Sequence, residues 1–214
     1  IRDSNKIQAE EIYEILKDRI IHLYYEPGQV LNEIDLADEF GISRTPIRRV
    51  FQMLMADKLL NIIPRFGAQV APMDFRKMKS VFEVTRELDA FATRLAVERI
   101  SDESIAELED ILERLNNYDI PTDYQKAIDD DEKFHEIIYS SCENPWLEEI
   151  LTRLHYQTER LWHYAENYFD EVELFTDTLG KILDSIKSGN VDDAERYTRE
   201  HIDQFVMKIK KEML

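Results

Sequence analysis

Apolar residues near the start of the chain recur at near-helical spacing. The stripe consists of Ile7, Ile12, Ile15, Leu16, Ile20 and Leu23. This spacing predicts an amphipathic helix over residues 7–24, which the Glu-Pro-Gly turn at residues 26–28 ends. A second, shorter helix is predicted from the N-cap Asn32 to Phe40, followed by Gly41, where a positive φ is easily adopted.

The third predicted helix covers about residues 44–57. Ser43 precedes it as the N-cap, and Pro46 falls in its first turn, where the missing N–H of proline is not needed. The helix has an apolar face made of Ile47, Val50, Phe51, Leu54 and Met55.

Two short strand-like segments follow on either side of Arg65-Phe66-Gly67 and predict a hairpin. Helix, helix, turn, helix and hairpin in this order form the pattern of a winged helix-turn-helix. We place the helix-turn-helix motif at about residues 33–52, within a domain of residues 5–73.

Beyond this domain every segment has helical periodicity. Six helices are predicted at about residues 74–99, 102–117, 122–142, 145–168, 171–188 and 191–213. Ser101 and Thr122 are suitable N-caps, Pro145 fits a first helical turn, and Gly189 fits a helix end. The predicted fold is mostly α, with an antiparallel bundle of about six helices over residues 74–214.

The chain of 214 residues has a formal net charge of −18, yet one segment of it is basic. Residues 42–72 contain five basic side chains and one acid, Asp57. Arg44, Arg48 and Arg49 fall on or beside the exposed face of the third helix, near its N-terminal end. In a winged helix-turn-helix this end faces the DNA bases, and arginine matches guanine edges and phosphates. The pattern predicts a focused DNA-binding surface; the alternative is three ordinary surface charges.

The sequence also bears on compartment. No apolar run reaches the about 18 residues that a membrane-spanning helix requires, so we predict no contact with a membrane. The single cysteine, Cys142, cannot form an internal disulfide and fits a reducing cytoplasm. No signal peptide is recognisable, and the start at Ile1 favours a trimmed or incomplete N-terminus. We predict a cytoplasmic protein.

Polar residues interrupt two apolar stripes of the predicted bundle. Asp131 and His135 share a helix face with Ile128, Ile138 and Cys142. A buried carboxylate requires a partner or a cation, and an Asp and a His four positions apart can bind one metal ion. His201 lies in a similar stripe on the last helix. The alternative is an ordinary surface pair or a hydrogen-bonded core pair.

Several other side chains of the bundle are candidates for a site. His155 and His163 are further possible metal ligands on the fourth bundle helix. The aromatic residues Trp146, Tyr156, Trp162 and Tyr164 fit core or interface positions, or the lining of a ligand cavity.

The segment from Tyr24 to Val70 resembles the N-terminal domain of GntR-family bacterial transcription regulators. The pieces P-G-x-x-L, L-A-x-x-F-G-I-S-R-T-P-I-R and R-x-G-A-x-V occur in order. The helical remainder resembles the FCD ligand-binding domain of the FadR-like subfamily, through segments at residues 85–96, 131–135, 143–151 and 185–201. Six bundle helices are typical of the shorter, VanR-type branch.

The resemblance implies a homodimeric regulator that binds a palindromic DNA operator and responds to a small metabolite, often a carboxylate. It implies DNA contacts from the recognition-helix residues Arg44, Thr45, Arg48 and Arg49 and from the wing-tip residues Phe66 and Gly67. Two positions depart from the family pattern, because Arg49 replaces a common acid and Ile34 replaces a basic contact of some relatives.

The resemblance also implies a divalent metal, zinc or nickel, bound by one Asp and three His. Asp131, His135 and His201 match three of these positions, but the fourth is Leu179, which cannot bind a metal. His155 or His163 are alternatives for the missing ligand. The resemblance further implies that Arg86 binds an effector carboxylate; the alternative is an intrahelical pair with Glu83 or Asp89.

Three function classes remain open at this point. The favoured one is a DNA-binding regulator, most simply a repressor, whose helical domain senses a carboxylate. A metal-dependent enzyme on a helical bundle would use the Asp131, His135 and His201 set with an open coordination position. A DNA-binding dimer that senses no ligand would follow if the pocket has closed around Leu179.

Overall fold

A computed structural model of the protein describes residues 2–65, 67–120, 122–166 and 173–213. The chain divides into two compact units, Ile1–Asp74 and Phe75–Leu214. Each unit has its own secondary structure and core.

The first unit contains three helices and a small sheet. The helices are α1 (Arg2–Ile21), α2 (Glu33–Phe40) and α3 (Arg44–Ala56). The strands are β1 (Val30–Leu31), β2 (Leu60–Ile63) and β3 (Gly67–Val70), in the antiparallel order β1-β3-β2. The winged helix-turn-helix prediction is thereby confirmed, and β1 is an addition, since two residues are too short to show strand alternation.

The turn between α2 and α3 depends on its caps. Asn32 Oδ1 accepts a hydrogen bond from the Ile34 N–H at 2.7 Å, as expected of an N-cap. Gly41 closes α2 with a φ of 63°, where an L-residue is disfavoured. Ser43 has the extended backbone of an N-cap, but its side chain makes no capping hydrogen bond.

The core of the first unit joins α1 to α3. Its fully buried members include Leu16, Ile20, Ile47, Val50, Phe51 and Leu54. Two residues assigned to apolar faces lie at the margin instead, because Ile15 and Met55 are each 41% exposed. Helix α1 ends at Ile21, three residues before the predicted end, and Leu23 has a φ of 56° that a helix cannot contain. The side chain of Ile7 lies outside the described residues.

The second unit is the predicted bundle. Its helices are α4 (Phe75–Arg99), α5 (Asp102–Asn117), α6 (Tyr124–Ser141), α7 (Pro145–Tyr164), α8 (Glu173–Lys187) and α9 (Val191–Met213). Helix α4 contacts α6, α7, α8 and α9, so it is central to the bundle. The predicted N-cap Thr122 is wrong, because α6 begins after Asp123. Helix α7 ends at Tyr164, before the end predicted at residue 168, and residues 167–168 and 171–172 themselves lie outside the described residues.

Among the described residues, the structure contains no helix that is both long and apolar enough to cross a membrane.

Candidate functional site

The residues predicted to contact DNA lie together at the start of α3. Arg44, Thr45, Arg48 and Arg49 are all exposed there. Pro46 and Ile47, between them, are buried and hold this turn of the helix against the core. The sequence therefore places one edge of α3 in the core and presents the other, with its three guanidinium groups, to solvent.

A single carboxylate joins two of these arginines. Glu33 Oε2 accepts hydrogen bonds from Arg44 Nη2 at 2.8 Å and from Arg48 Nε at 2.8 Å. Partial burial raises the pKa of Glu33, but the hydrogen bonds from Arg44 and Arg48 outweigh it, so that pKa lies below its ordinary value. Sequence patterns did not reveal this contact, because Glu33 lies on another helix.

The wing position Gly67 has a structural explanation. Its φ is 120°, and a Cβ at this position would lie 2.3 Å from the Leu31 carbonyl oxygen. Glycine is required there because the backbone of β1 passes so close. Phe66, the other predicted wing contact, lies outside the described residues.

A buried polar cluster lies inside the helical unit. Asp131, His135 and His201 come together from α6 and α9, with one ligand atom of each within 4.8 Å of the others. His135 Nε2 and His201 Nε2 each lie 3.8 Å from an Asp131 oxygen. All three side chains are buried, so the structure confirms that these positions meet in space.

Burial changes the ionisation of the cluster. Removal from water raises the pKa of Asp131 to about 8, with a further contribution from the nearby carboxyl of Asp89. The pKa of His201 falls to about 4 because burial penalises the charged imidazole. Asp131 Oδ1 has no hydrogen-bond partner among the described residues. A cation would stabilise the ionised carboxylate and use the neutral imidazoles as ligands.

Two oxygens face the histidines from outside the cluster. The hydroxyl of Thr178, on α8, lies 2.8 Å from His201 Nδ1. The carboxylate of Asp89, on α4, lies 3.9 Å from His135 Nδ1. Metal-binding histidines usually place their second nitrogen against an oxygen in this way. Sequence analysis treated Asp89 only as a pairing alternative for Arg86, although its place in the buried stripe of α4 was a usable signal.

The cluster surrounds a very small cavity. His155, Thr158 and Trp162 of α7 line it together with the cluster residues, and its volume is about 20 Å³. That volume holds about one water-sized particle. Trp162 is buried there and stacks on Phe205, whereas Trp146 is 79% exposed. His163 is buried but is not part of the cavity wall.

Arg86 lies in a different place from the cluster. Its guanidinium pairs with both oxygens of Asp203, on α9, at 2.9 and 3.0 Å, and with Glu87 at 2.5 Å. The alternative partners Glu83 and Asp89 are wrong, because the main contact crosses to α9. Arg86 lines a groove of about 410 Å³ between α4 and α9.

Each of the two units matches the profile of a known protein family. The profile of the FCD domain matches residues 80–204, and that of bacterial regulatory proteins of the gntR family matches residues 8–70. The chain belongs to the GntR family and carries an FCD domain. This GntR protein is 30% identical to the galactonate operon transcriptional repressor of Escherichia coli K12 over 166 residues, covering 67% of the chain and 70% of the relative.

Other similarities of this GntR protein extend over more of the chain. It is 25% identical over 194 residues to the uncharacterized HTH-type transcriptional regulator YdhC of Bacillus subtilis, covering 89% of the chain and 86% of YdhC. The solved structure of E. coli McbR/YncC shares the fold, with a TM-score of 0.80 at 22% identity, over 95% of this chain and 97% of that one.

Membership of the GntR family decides between the function classes. Its members are transcriptional regulators rather than enzymes, so the metalloenzyme alternative is set aside. Regulators with this helix-turn-helix bind DNA operators, and FCD domains bind small-molecule effectors. At the position that the family resemblance gives to a histidine, this GntR protein has Leu179, which is fully buried in α8.

Proposed function

We propose that the protein is a homodimeric repressor whose affinity for a palindromic DNA operator is controlled by a small organic acid bound in the FCD domain, with a divalent cation in the cluster. The observation that carries the proposal is the exposed arginine edge of α3, in a chain whose second unit holds a buried site for a charged ligand. Because its target is chromosomal DNA, the proposal places the protein in the cytoplasm.

The proposed DNA contacts are the side chains at the start of α3. Arg44 and Arg48 carry exposed guanidinium groups, and Thr45 and Arg49, also exposed, flank them. Guanine edges and phosphates would take the place of the Glu33 carboxylate as acceptors. Two such heads would read the two half-sites of a palindrome, which requires a dimer.

Asp131, His135 and His201 fit a divalent cation. The set offers one carboxylate oxygen and two neutral imidazole nitrogens, donors that suit zinc and nickel. Among the described residues Asp131 Oδ1 has no hydrogen-bond partner, and burial raises the pKa of Asp131, so a cation would stabilise its ionised form. A bound cation would supply that positive charge and attract an effector carboxylate. Thr178 lies within hydrogen-bond distance of His201, and Asp89 faces His135.

The groove of α4 and α9 suits the body of an organic acid. Phe82 and Ile202 line both this groove and the cluster cavity, so the two spaces share a wall. The cavity itself is too small for a molecule of several atoms, whereas about 410 Å³ falls in the usual range for small-ligand pockets. The groove is lined by four cationic side chains, Arg76, Lys79, Arg86 and Lys210, against two carboxylates, Glu83 and Asp203, of which Asp203 is already paired with Arg86.

Two observations support an organic acid as the effector. Cationic side chains around an apolar floor favour an amphipathic anion. One relative is named for a galactonate operon, and galactonate is a carboxylate. An effector that prefers one arrangement of the bundle would shift the population of DNA-binding states and so change operator affinity.

The DNA-binding part of the proposal is tested by selecting operators from random duplex DNA with the purified protein. Replacing Arg44 and Arg48 by alanine should weaken binding to the selected DNA by at least about 30-fold, since each base-directed arginine contributes about 1–3 kcal/mol. Arg153→Ala, an exposed arginine on α7, is the control and should bind normally. Undiminished binding by the double variant, with its fold intact, would exclude α3 as the recognition helix.

The sensing part is tested by thermal unfolding with a panel of organic acids, each with and without zinc. A ligand that binds only the folded state must raise the melting temperature. Stabilisation by an acid, lost in Phe82→Trp through filling of the groove, supports the proposal. A panel without effect favours a dimer that senses no ligand.

A further inference from the structure

His155 is a buried histidine whose surroundings differ from those of an ordinary core residue. It lies on α7, is 8% exposed, and lines the same cavity as Asp131, His135 and His201. Its Nε2 has no hydrogen-bond partner among the described residues. A buried imidazole nitrogen without a partner loses its hydrogen bond to water and gains nothing in return. The position is therefore unfavourable unless something binds there.

Two of the ring spacings fit imidazoles that share one ion. The ring centre of His155 lies 5.4 Å from that of His135, and the ring centre of His201 lies 5.3 Å from that of His135. Two imidazoles bound to one zinc ion at about 2.0–2.1 Å, in tetrahedral positions, have ring centres about 5 Å apart. His155 thus stands in the same relation to His135 as the family-matched ligand His201.

Further oxygens lie near each of the three histidines. His201 has the Thr178 hydroxyl, and His135 has the Asp89 carboxylate. A ring nitrogen of His155 lies within 4.8 Å of carboxylate oxygens of Glu132 and Glu159. Such oxygens orient metal-binding imidazoles and raise their basicity.

We propose that His155 is the fourth protein ligand of the cation site, replacing the α8 ligand that is lost at Leu179. This inference rests on the proposed cation in the cluster. Asp131, His135, His155 and His201 then form a one-carboxylate, three-imidazole set drawn from α6, α7 and α9. Among the described side chains of α8, the Thr178 hydroxyl faces the site and Leu179 packs as core.

With His155 as a ligand, helix α7 instead of α8 carries the third histidine of the site, and this affects how an effector could be sensed. Four protein ligands complete a tetrahedral shell, so an effector carboxylate would reach zinc only through a fifth position. Movement of α7 relative to α6 and α9 would then be tied directly to the ion.

The test measures zinc affinity, by competition with a chromophoric chelator, for the full chain. His155→Leu should lower the affinity by more than the about 10–100-fold that an outer hydrogen-bond partner contributes. Leu179→His in the His155→Leu background restores the family's ligand and should recover most of the affinity. His163→Gln tests the other candidate ligand of α7, a buried histidine outside the cavity, and should bind zinc normally; a loss there with unchanged affinity in His155→Leu would assign the fourth position to His163 instead.

A second measurement does not depend on the folding of any variant. Zinc X-ray absorption of the wild-type protein should show three imidazole ligands and one zinc per chain. Two imidazoles, with unchanged affinity in His155→Leu, would overturn the assignment of His155 and leave the cation site standing. Two zinc ions per chain, one of them lost in His155→Leu, would assign His155 to a separate site with Glu132 and Glu159. A wild-type protein that binds no zinc would overturn the cation site and this inference together.

Discussion

Arg44 and Arg48 lie in solvent and share one carboxylate, whereas Asp131 and its neighbouring histidines lie inside the bundle without a matching charge. Exposed ion pairs contribute about 0–1 kcal/mol each, so the arginines can exchange Glu33 for another acceptor at little energetic cost. An uncompensated buried carboxyl costs several kcal/mol or stays protonated. The first arrangement suits a partner that comes and goes; the second suits a cation held by the fold.

The largest effect is expected from removing the Asp131 carboxylate. Asp131→Ala takes away the one anionic ligand, so zinc affinity should fall by more than the about 100-fold upper range for outer partners. Asp129→Ala removes an exposed aspartate of the same helix and should leave the affinity unchanged. Chelator competition measures both. Equal losses in the two variants would show that only the overall charge of α6 matters.

A smaller loss is expected at Asp89, which acts through His135. Asp89→Asn keeps the size of the side chain but weakens its hold on the imidazole, and zinc affinity should fall about 10–100-fold. The same variant without metal should be at least as stable as the wild type, because burial raises the pKa of Asp89 to about 7 and an amide escapes that cost. Thermal unfolding with and without zinc separates the two effects. A metal-free variant that is clearly less stable would assign Asp89 to the core alone.

In the first unit, the largest loss of stability is expected at Gly67, because of its backbone conformation. Gly67→Ala should lower the free energy of unfolding by more than about 1–3 kcal/mol, since left-handed strain adds to the clash with Leu31. Gly28→Ala has a φ of 88° but nothing within 4 Å, so only the strain should appear. Calorimetry of the full chain compares them. If Gly67→Ala is as stable as the wild type, the structural explanation for Gly67 is excluded, and only its predicted DNA contact remains.

The smallest effect is expected at Glu33. Its pKa is lowered in the folded state, so its stabilising contribution is present above its unfolded pKa and is lost as pH falls through the folded value. Glu33→Gln should cost no more than about 1 kcal/mol at neutral pH and nothing in strong acid. Binding to random-sequence DNA should tighten, because the arginines lose a competing anion. Weaker binding would mean that Glu33 orients the arginines rather than masking them.

Helices of this protein could be predicted from sequence where the periodic pattern of apolar residues extended over many positions. The six bundle helices and the caps at Asn32 and Gly41 follow from spacing and local chemistry, which a single chain segment contains. The strand β1 could not be found, because it exists only through pairing with β3. Thr122 and Asp123 are both acceptable caps locally, and tertiary packing decides between them.

The candidate site was predicted in part for the same reason. Asp131 and His135 lie one helical turn apart, so their common face is visible in sequence. Glu33 with Arg44, or Asp89 with His135, requires the distance between separate helices, which one sequence does not contain. For Arg86 the pairing partner Asp203 is 117 positions away.

The burial of the cluster also determines how quickly a bound ion would exchange. Asp131, His135 and His201 are at most 6% exposed, and the cavity they share has room for about one water-sized particle. An ion held there exchanges only when helices of the bundle separate, and the rate of that local opening sets its residence time. The metal content of a molecule would then reflect the ions present while it folded more than those around it later.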